Sequence, residues 1–119
     1  MSPIKIIAPF VLALLPSAGL AQEKPAFSFD HHIINIRTDQ CLDRARFTLI
    51  QFHAGEIVAG GGAVGAGLSE GGTVVVHCLS NGNPAQSWLV VVTATAPGPL
   101  AGSLRERFVR QFHANIPGL

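Results

Sequence analysis

The side chains best equipped for chemistry are five histidines, a single pair of cysteines and a run of glycines. Asp30 and His32 are two residues apart in the stretch FSFDHHIINIR. If that stretch is a strand, the two side chains point to one face. His77 lies in a second strand-like stretch, TVVVHCL, and would complete a three-ligand set if the two strands were neighbours. Imidazole with carboxylate suits zinc or copper. The pattern holds no His-x-His or His-x3-His pair, so a metal site on Asp30, His32 and His77 is the alternative reading. The leading one treats His31 and His32 as polar positions at the start of a strand. It places His53 and His113 near helix C-termini, where a positive charge favours the dipole.

Gly60, Gly61, Gly62, Ala63, Val64 and Gly65 match G-x-G-x-x-G, the turn that brings a pyrophosphate to a helix N-terminus. That motif needs a helix directly after it and an acidic residue about 20 positions on. Here Gly67, Gly71 and Gly72 come next instead. The run from 60 to 72 is therefore expected to be a flexible loop, a hairpin or a glycine-weakened edge strand. A flap over a small-ligand site is its functional alternative. Gly-x-Ser-x-Gly is absent, and no pair of acids stands out for acid–base work. Neither a catalytic residue nor a cofactor is expected, and an enzyme is the least favoured class, although catalytic partners need not be close in sequence.

Residues 1–21 have the three parts of a secretory signal. Lys5 supplies the charge, an apolar stretch runs on to Leu15, and Gly19 and Ala21 fit small-x-small cleavage. The apolar run is too short to cross a bilayer, which takes about 20 residues. The remainder, residues 22–119, is expected to be one small domain, periplasmic or secreted, with no membrane attachment after cleavage. Without Lys5 the acidic and basic residues balance, which removes the basic excess that nucleic-acid binding draws on. In an oxidising compartment two cysteines usually pair. A Cys41–Cys78 bond would contribute roughly 3–4 kcal/mol through loop closure.

These positions need elements to hold them. Residues 27–37 read as a strand, and residues 40–53 as a helix, with Thr38 or Asp39 as cap and Gly55 as stop. In that helix Leu42, Ala45, Leu49 and Phe52 form a stripe at helical spacing. A short strand begins at residues 56–59. Residues 73–79 and 87–94 are firm strands, separated by an Asn81-Gly82 turn. Leu100 to Ala114 is a second amphipathic helix, with Leu104, Phe108 and Phe112 on its core face and a Glu106–Arg110 pair outside. Arg105, Arg107 and Arg110 are expected to form a solvated face, with anion binding as the alternative. Trp88 is expected in the core or at an interface.

The order β-α-β-β-β-α implies an α+β fold, with a three- to four-stranded, mainly antiparallel sheet and two helices on one face. If Cys78 faces the helices, Val74 and Val76 do too. Val75 and Leu79 then lie on the far face, and residues 87–94 are apolar on both sides. A one-sided sheet normally alternates apolar and polar residues. The second face is thus expected to be covered, most simply by a homodimer through Val75, Leu79, Leu89 and Val91. An apolar ligand or the glycine loop is the alternative cover.

The sequence Cys41-Leu42-Asp43-Arg44-Ala45 opening a helix, with Val74-Val75-Val76-His77-Cys78 and Leu89-Val90-Val91-Val92, resembles small exported bacterial α+β proteins of uncharacterised function. The likeness covers most of residues 33–112 and implies a helix-to-strand cysteine pair and a terminal amphipathic helix, with no activity attached. Together these readings favour an exported, non-enzymatic binding or interaction module with an unknown ligand. The alternative is a periplasmic metal or small-ligand binder using Asp30, His32 and His77 or the glycine loop.

Overall fold

The computed structural model describes residues 26–96 and 100–116. The leader expected at residues 1–21 lies outside them. No helix among the described residues is long and apolar enough to cross a membrane. The chain runs β1 (Ala26–Ile34), α1 (Thr38–Gln51), β2 (Val58–Gly60), β3 (Ala63–Gly67), β4 (Thr73–Leu79), β5 (Ser87–Thr95) and α2 (Leu100–Ala114). All neighbouring strands are antiparallel, in the order β1-β5-β4-β3-β2. The α+β class is as expected, but the sheet has five strands rather than three or four.

The extra strands come from the glycine run. Gly61 and Gly62, at φ of 60° and 78°, form a two-residue turn. Positive φ at both central positions matches the right-handed twist of flanking strands, so the run closes as a hairpin. Val58 pairs with Gly65 and Gly60 with Ala63 across it. No helix comes after it, so the phosphate-cradle geometry is not formed here.

Helix α1 begins two residues earlier than expected, and its N-cap is Arg37 rather than Thr38 or Asp39. The Arg37 amide donates to the Gln40 side chain at 3.3 Å, and the Arg37 guanidinium pairs with Asp39. The helix stops before Gly55. Phe52 is its C-cap, and His53 takes a left-handed φ of 57°, a conformation usually left to glycine or asparagine.

The core lies between the two helices and one sheet face. Cys41, Ala45 and Leu49 of α1 and Leu104, Phe108 and Phe112 of α2 are buried against Val74, Val76, Cys78, Leu89 and Val91. Leu42 and Phe52 pack at its margin. Cys41 and Cys78 form a disulfide that ties α1 to β4, with Cα atoms 6.0 Å apart. It is the signature of an oxidising, non-cytoplasmic setting. Buried hydroxyls are satisfied: Thr48 donates to the Arg44 carbonyl at 2.7 Å, Ser87 to that of Ile36 at 2.7 Å and Thr93 to that of Ala101 at 2.7 Å. Asn115 donates to Thr48 at 2.9 Å and to Gln51 at 2.6 Å, joining the two helix ends.

Candidate interaction surface

The pleat decides which side chains the sheet presents on each side. Cys78 pairs with Leu89 and Val76 with Val91, so all four share the helix-covered side. Leu89 and Val91 are 0% exposed, which corrects their expected place in an interface. Val75 and Leu79 do lie on the opposite side, in register with Val92 and Trp88. In residues 87–94 the two polar side chains, Ser87 and Thr93, are buried alongside Leu89 and Val91, so hydropathy along the strand does not reveal its phase; the pairing does.

On β1 the alternation is visible. Phe27, Phe29, His31 and Ile33 are exposed, and they pair with Ala94, Val92, Val90 and Trp88. The open face therefore carries four cross-sheet rows. Phe27, Ala94, Thr73 and Gly67 form the first, and Phe29, Val92, Val75, Gly65 and Val58 the second. His31, Val90, His77, Ala63 and Gly60 form the third, and Ile33, Trp88 and Leu79 the last. Phe27 and Phe29 are each 68% exposed, Ile33 57% and Trp88 41%. No row contains Asp, Glu, Lys or Arg. His31 stacks on Trp88 with ring centroids 6.0 Å apart. A contiguous apolar face of this kind marks an interaction site.

The face is uneven. The aromatic residues stand on β1 and β5, whereas Gly65 and Gly67 of β3 and Gly60 of β2 have no side chains. Next to them the surface sinks into an open depression of about 490 Å³, lined among others by Val58, Ala63, Gly65, Gly67, Thr73 and Val75. The glycine run thus floors a hollow in the open face instead of forming a flap.

The candidate metal set is not assembled. Asp30 pairs with Val91 and His32 with Leu89, which puts both on the helix side. His77 pairs with Val90 and faces the other way. Among the described residues, no group of three His, Cys, Asp or Glu side chains is placed to hold a metal ion. Asp30 and His32 instead meet α2. Asp30 accepts from Arg105 at 3.2 Å, and His32 Nε2 approaches the same carboxylate oxygen at 3.1 Å. The Nε2 atom is buried and out of line for a hydrogen bond. His32 also meets His113 edge to face at 5.4 Å.

Partial burial pushes the Asp30 carboxyl up, but the His31 amide and the His32 and Arg105 charges outweigh it and hold it below 3.8. Burial pushes His113 below the ordinary 6.5, the His32 charge adds to the shift, and Asp30 opposes it. His113 thus favours the neutral form, contrary to a dipole-stabilising cation. Its position on the last helical turn can be read from sequence, but its neighbours cannot. The arginines are not a uniform solvated face either. Arg107 grips Glu70 at 2.6 Å, and Glu106 pairs with Arg105 at 3.5 Å rather than with Arg110.

These shifts carry a pH dependence with a definite sign. The unfolded chain protonates His113 before the folded one does, so stability is full above 6.5 and declines as pH falls below it. Asp30 adds a further loss below 3.8, in the same direction. Thermal unfolding from pH 7 to pH 5 is expected to show a falling Tm, with a shallower fall in His113→Gln. Equal slopes in the two proteins would remove His113 as the cause.

No protein-family model and no curated protein matches this sequence.

Proposed function

We propose that this chain is an exported, non-enzymatic interaction module that docks a partner on the open face of its sheet. One observation carries the reading: a sheet face free of Asp, Glu, Lys and Arg on which Phe27, Phe29, Ile33, Trp88, Leu79 and Val58 are all between 41% and 68% exposed. Leaving such side chains in water forgoes about 25 cal/mol for every Å² of apolar surface that a partner could cover. The helix side already buries the core, so the open face is not needed to hold the fold. A face without Lys or Arg gives no purchase on nucleic acid, whose affinity comes largely from phosphate neutralisation. The disulfide and the leader-like residues 1–21 support delivery to the periplasm or the exterior. The resemblance to small exported bacterial α+β proteins points the same way.

A photo-cross-linking amino acid placed at Phe29 tests the reading in the compartment to which the chain is delivered. Irradiation is expected to give a covalent protein adduct from position 29. The same probe at Glu106, exposed on α2, is expected to give none. Absence of an adduct at 29, or equal yields at both positions, would sink the docking reading.

A further inference from the structure

We infer that the partner is a second copy of this chain, packed face to face about a twofold axis parallel to the strands. The inference rests on the docking reading above and adds the occupant and its orientation. Three observations carry it.

The first is relief. Tall side chains (Phe27, Phe29, Ile33, Trp88) crowd the β1–β5 half of the face, and the hollow floored by Gly65 and Gly67 occupies the β3–β2 half. A twofold axis along the strands reverses strand order while keeping each cross-sheet row in place. It lays β1 of one copy over β2 of the other, β5 over β3, and β4 over β4. Row by row, Phe29 then stands above the partner's Val58, with Val92 beside it above the partner's Gly65, and Phe27 lies next to Ala94, which stands above the partner's Gly67. Each ridge enters the other copy's hollow, and the contact is self-complementary, as a closed twofold interface must be. A twofold axis across the strands would set ridge against ridge and leave both hollows empty.

The second is charge. No Asp, Glu, Lys or Arg side chain stands in any of the four rows, whose titratable groups are His31 and His77. Among the described residues the exposed Glu56 is the one carboxylate lining the hollow, so two identical faces meet with no permanent charge in their rows. The third is extent. Five strands spaced about 4.8 Å apart, the longest rising about 3.4 Å per residue over nine residues, give a face of roughly 600 Å² in plan. With side-chain relief this approaches the 800 Å² or so per partner of a standard stable interface. The assembly is a sandwich of two sheets with the helices outside.

Sedimentation of the purified chain is expected to show a dimer at micromolar concentration, and Phe29→Asp to weaken dimerisation roughly a hundredfold, the range of an aromatic anchor seated in a partner's hollow. Phe29 and Val58 are exposed, so replacing them leaves the core intact. Within one chain they lie on β1 and β2, at opposite edges of the sheet and beyond the reach of a short linker. The double variant Phe29→Cys/Val58→Cys, treated with a short bis-maleimide, is expected to give covalent dimer, and the Phe29→Cys single variant none. A monomer at all concentrations overturns the second copy as occupant. So does a photo-adduct at Phe29 whose mass is not twice that of the chain, and in that case the docking reading still stands. A dimer that cross-links through Phe29→Cys alone, or fails to cross-link in the double variant, overturns the orientation and with it the ridge-in-hollow contact.

Discussion

Removing the Cys41–Cys78 bond is expected to lower the unfolding free energy by roughly 3–4 kcal/mol. The two positions are 37 apart, and the loop-closure relation gives that figure for a cross-link of this span. For a domain of this size each kcal/mol is worth roughly 4–8 °C, so Tm should fall by roughly 15–25 °C. Alanine is the replacement to use. Cys41 and Cys78 are 0% and 3% exposed, so serine would bury hydroxyls among apolar neighbours and add a separate penalty. Urea unfolding of Cys41→Ala/Cys78→Ala, compared with the oxidised chain, measures the effect. A loss under about 1 kcal/mol would mean that the unfolded chain is already compact between these positions, so that the bond constrains little.

The second large effect is expected at Phe108. Its ring is 0% exposed and lies 5.4 Å from that of Phe52, at the point where α2 crosses the core. Phe108→Ala removes that ring and leaves a cavity that rigid neighbours cannot fill, a change of roughly 3–5 kcal/mol. Against a total of roughly 5–15 kcal/mol, this brings the fold close to its limit. Phe47 is the internal control: the same residue type, 47% exposed on α1, is expected to lose less than about 1 kcal/mol on truncation. Comparable losses at the two sites, read by urea unfolding, would refute the placement of the core.

The elements legible in the sequence are those with a visible period. Leu104, Phe108 and Phe112 recur every four residues, and the second helix has the bounds expected of it, Leu100–Ala114. Thr73–Leu79 has the expected bounds as well, and the phase deduced from Cys78 places Val74 and Val76 on the buried side. The departures share one cause, the absence of side-chain contrast that follows burial. In SWLVVVTA the two polar residues, Ser87 and Thr93, lie on the buried side, so hydropathy along the strand does not mark Leu89 and Val91 as buried and Trp88 and Val92 as open. The glycines at 60–67 have almost no side chains to alternate, so the strands they build leave little trace in the sequence. Asp30, His32 and His77 need cross-strand register, and register belongs to pairs of strands rather than to any one of them. The open face is foreseeable from the surplus of apolar residues. Its content is not, because Phe27, Phe29 and Ile33 sit on a strand whose neighbour the sequence does not name.

The place of β1 also bears on the order in which the molecule assembles. The first strand of the chain has one partner among the described strands, and that is the last strand, with Ala26 opposite Thr95. A ribosome delivers β1 first and β5 last, so the N-terminal strand has no neighbour until nearly the whole chain has emerged. The β2–β3 hairpin and the β3–β4 and β4–β5 pairings can form from nearby residues, whereas closing β1 onto β5 must wait for the longest loop of all. The nascent chain thus stays open from its leading end. Threading through a translocation pore before folding, as the proposed export would involve, is eased by that property, which here arises from strand order alone.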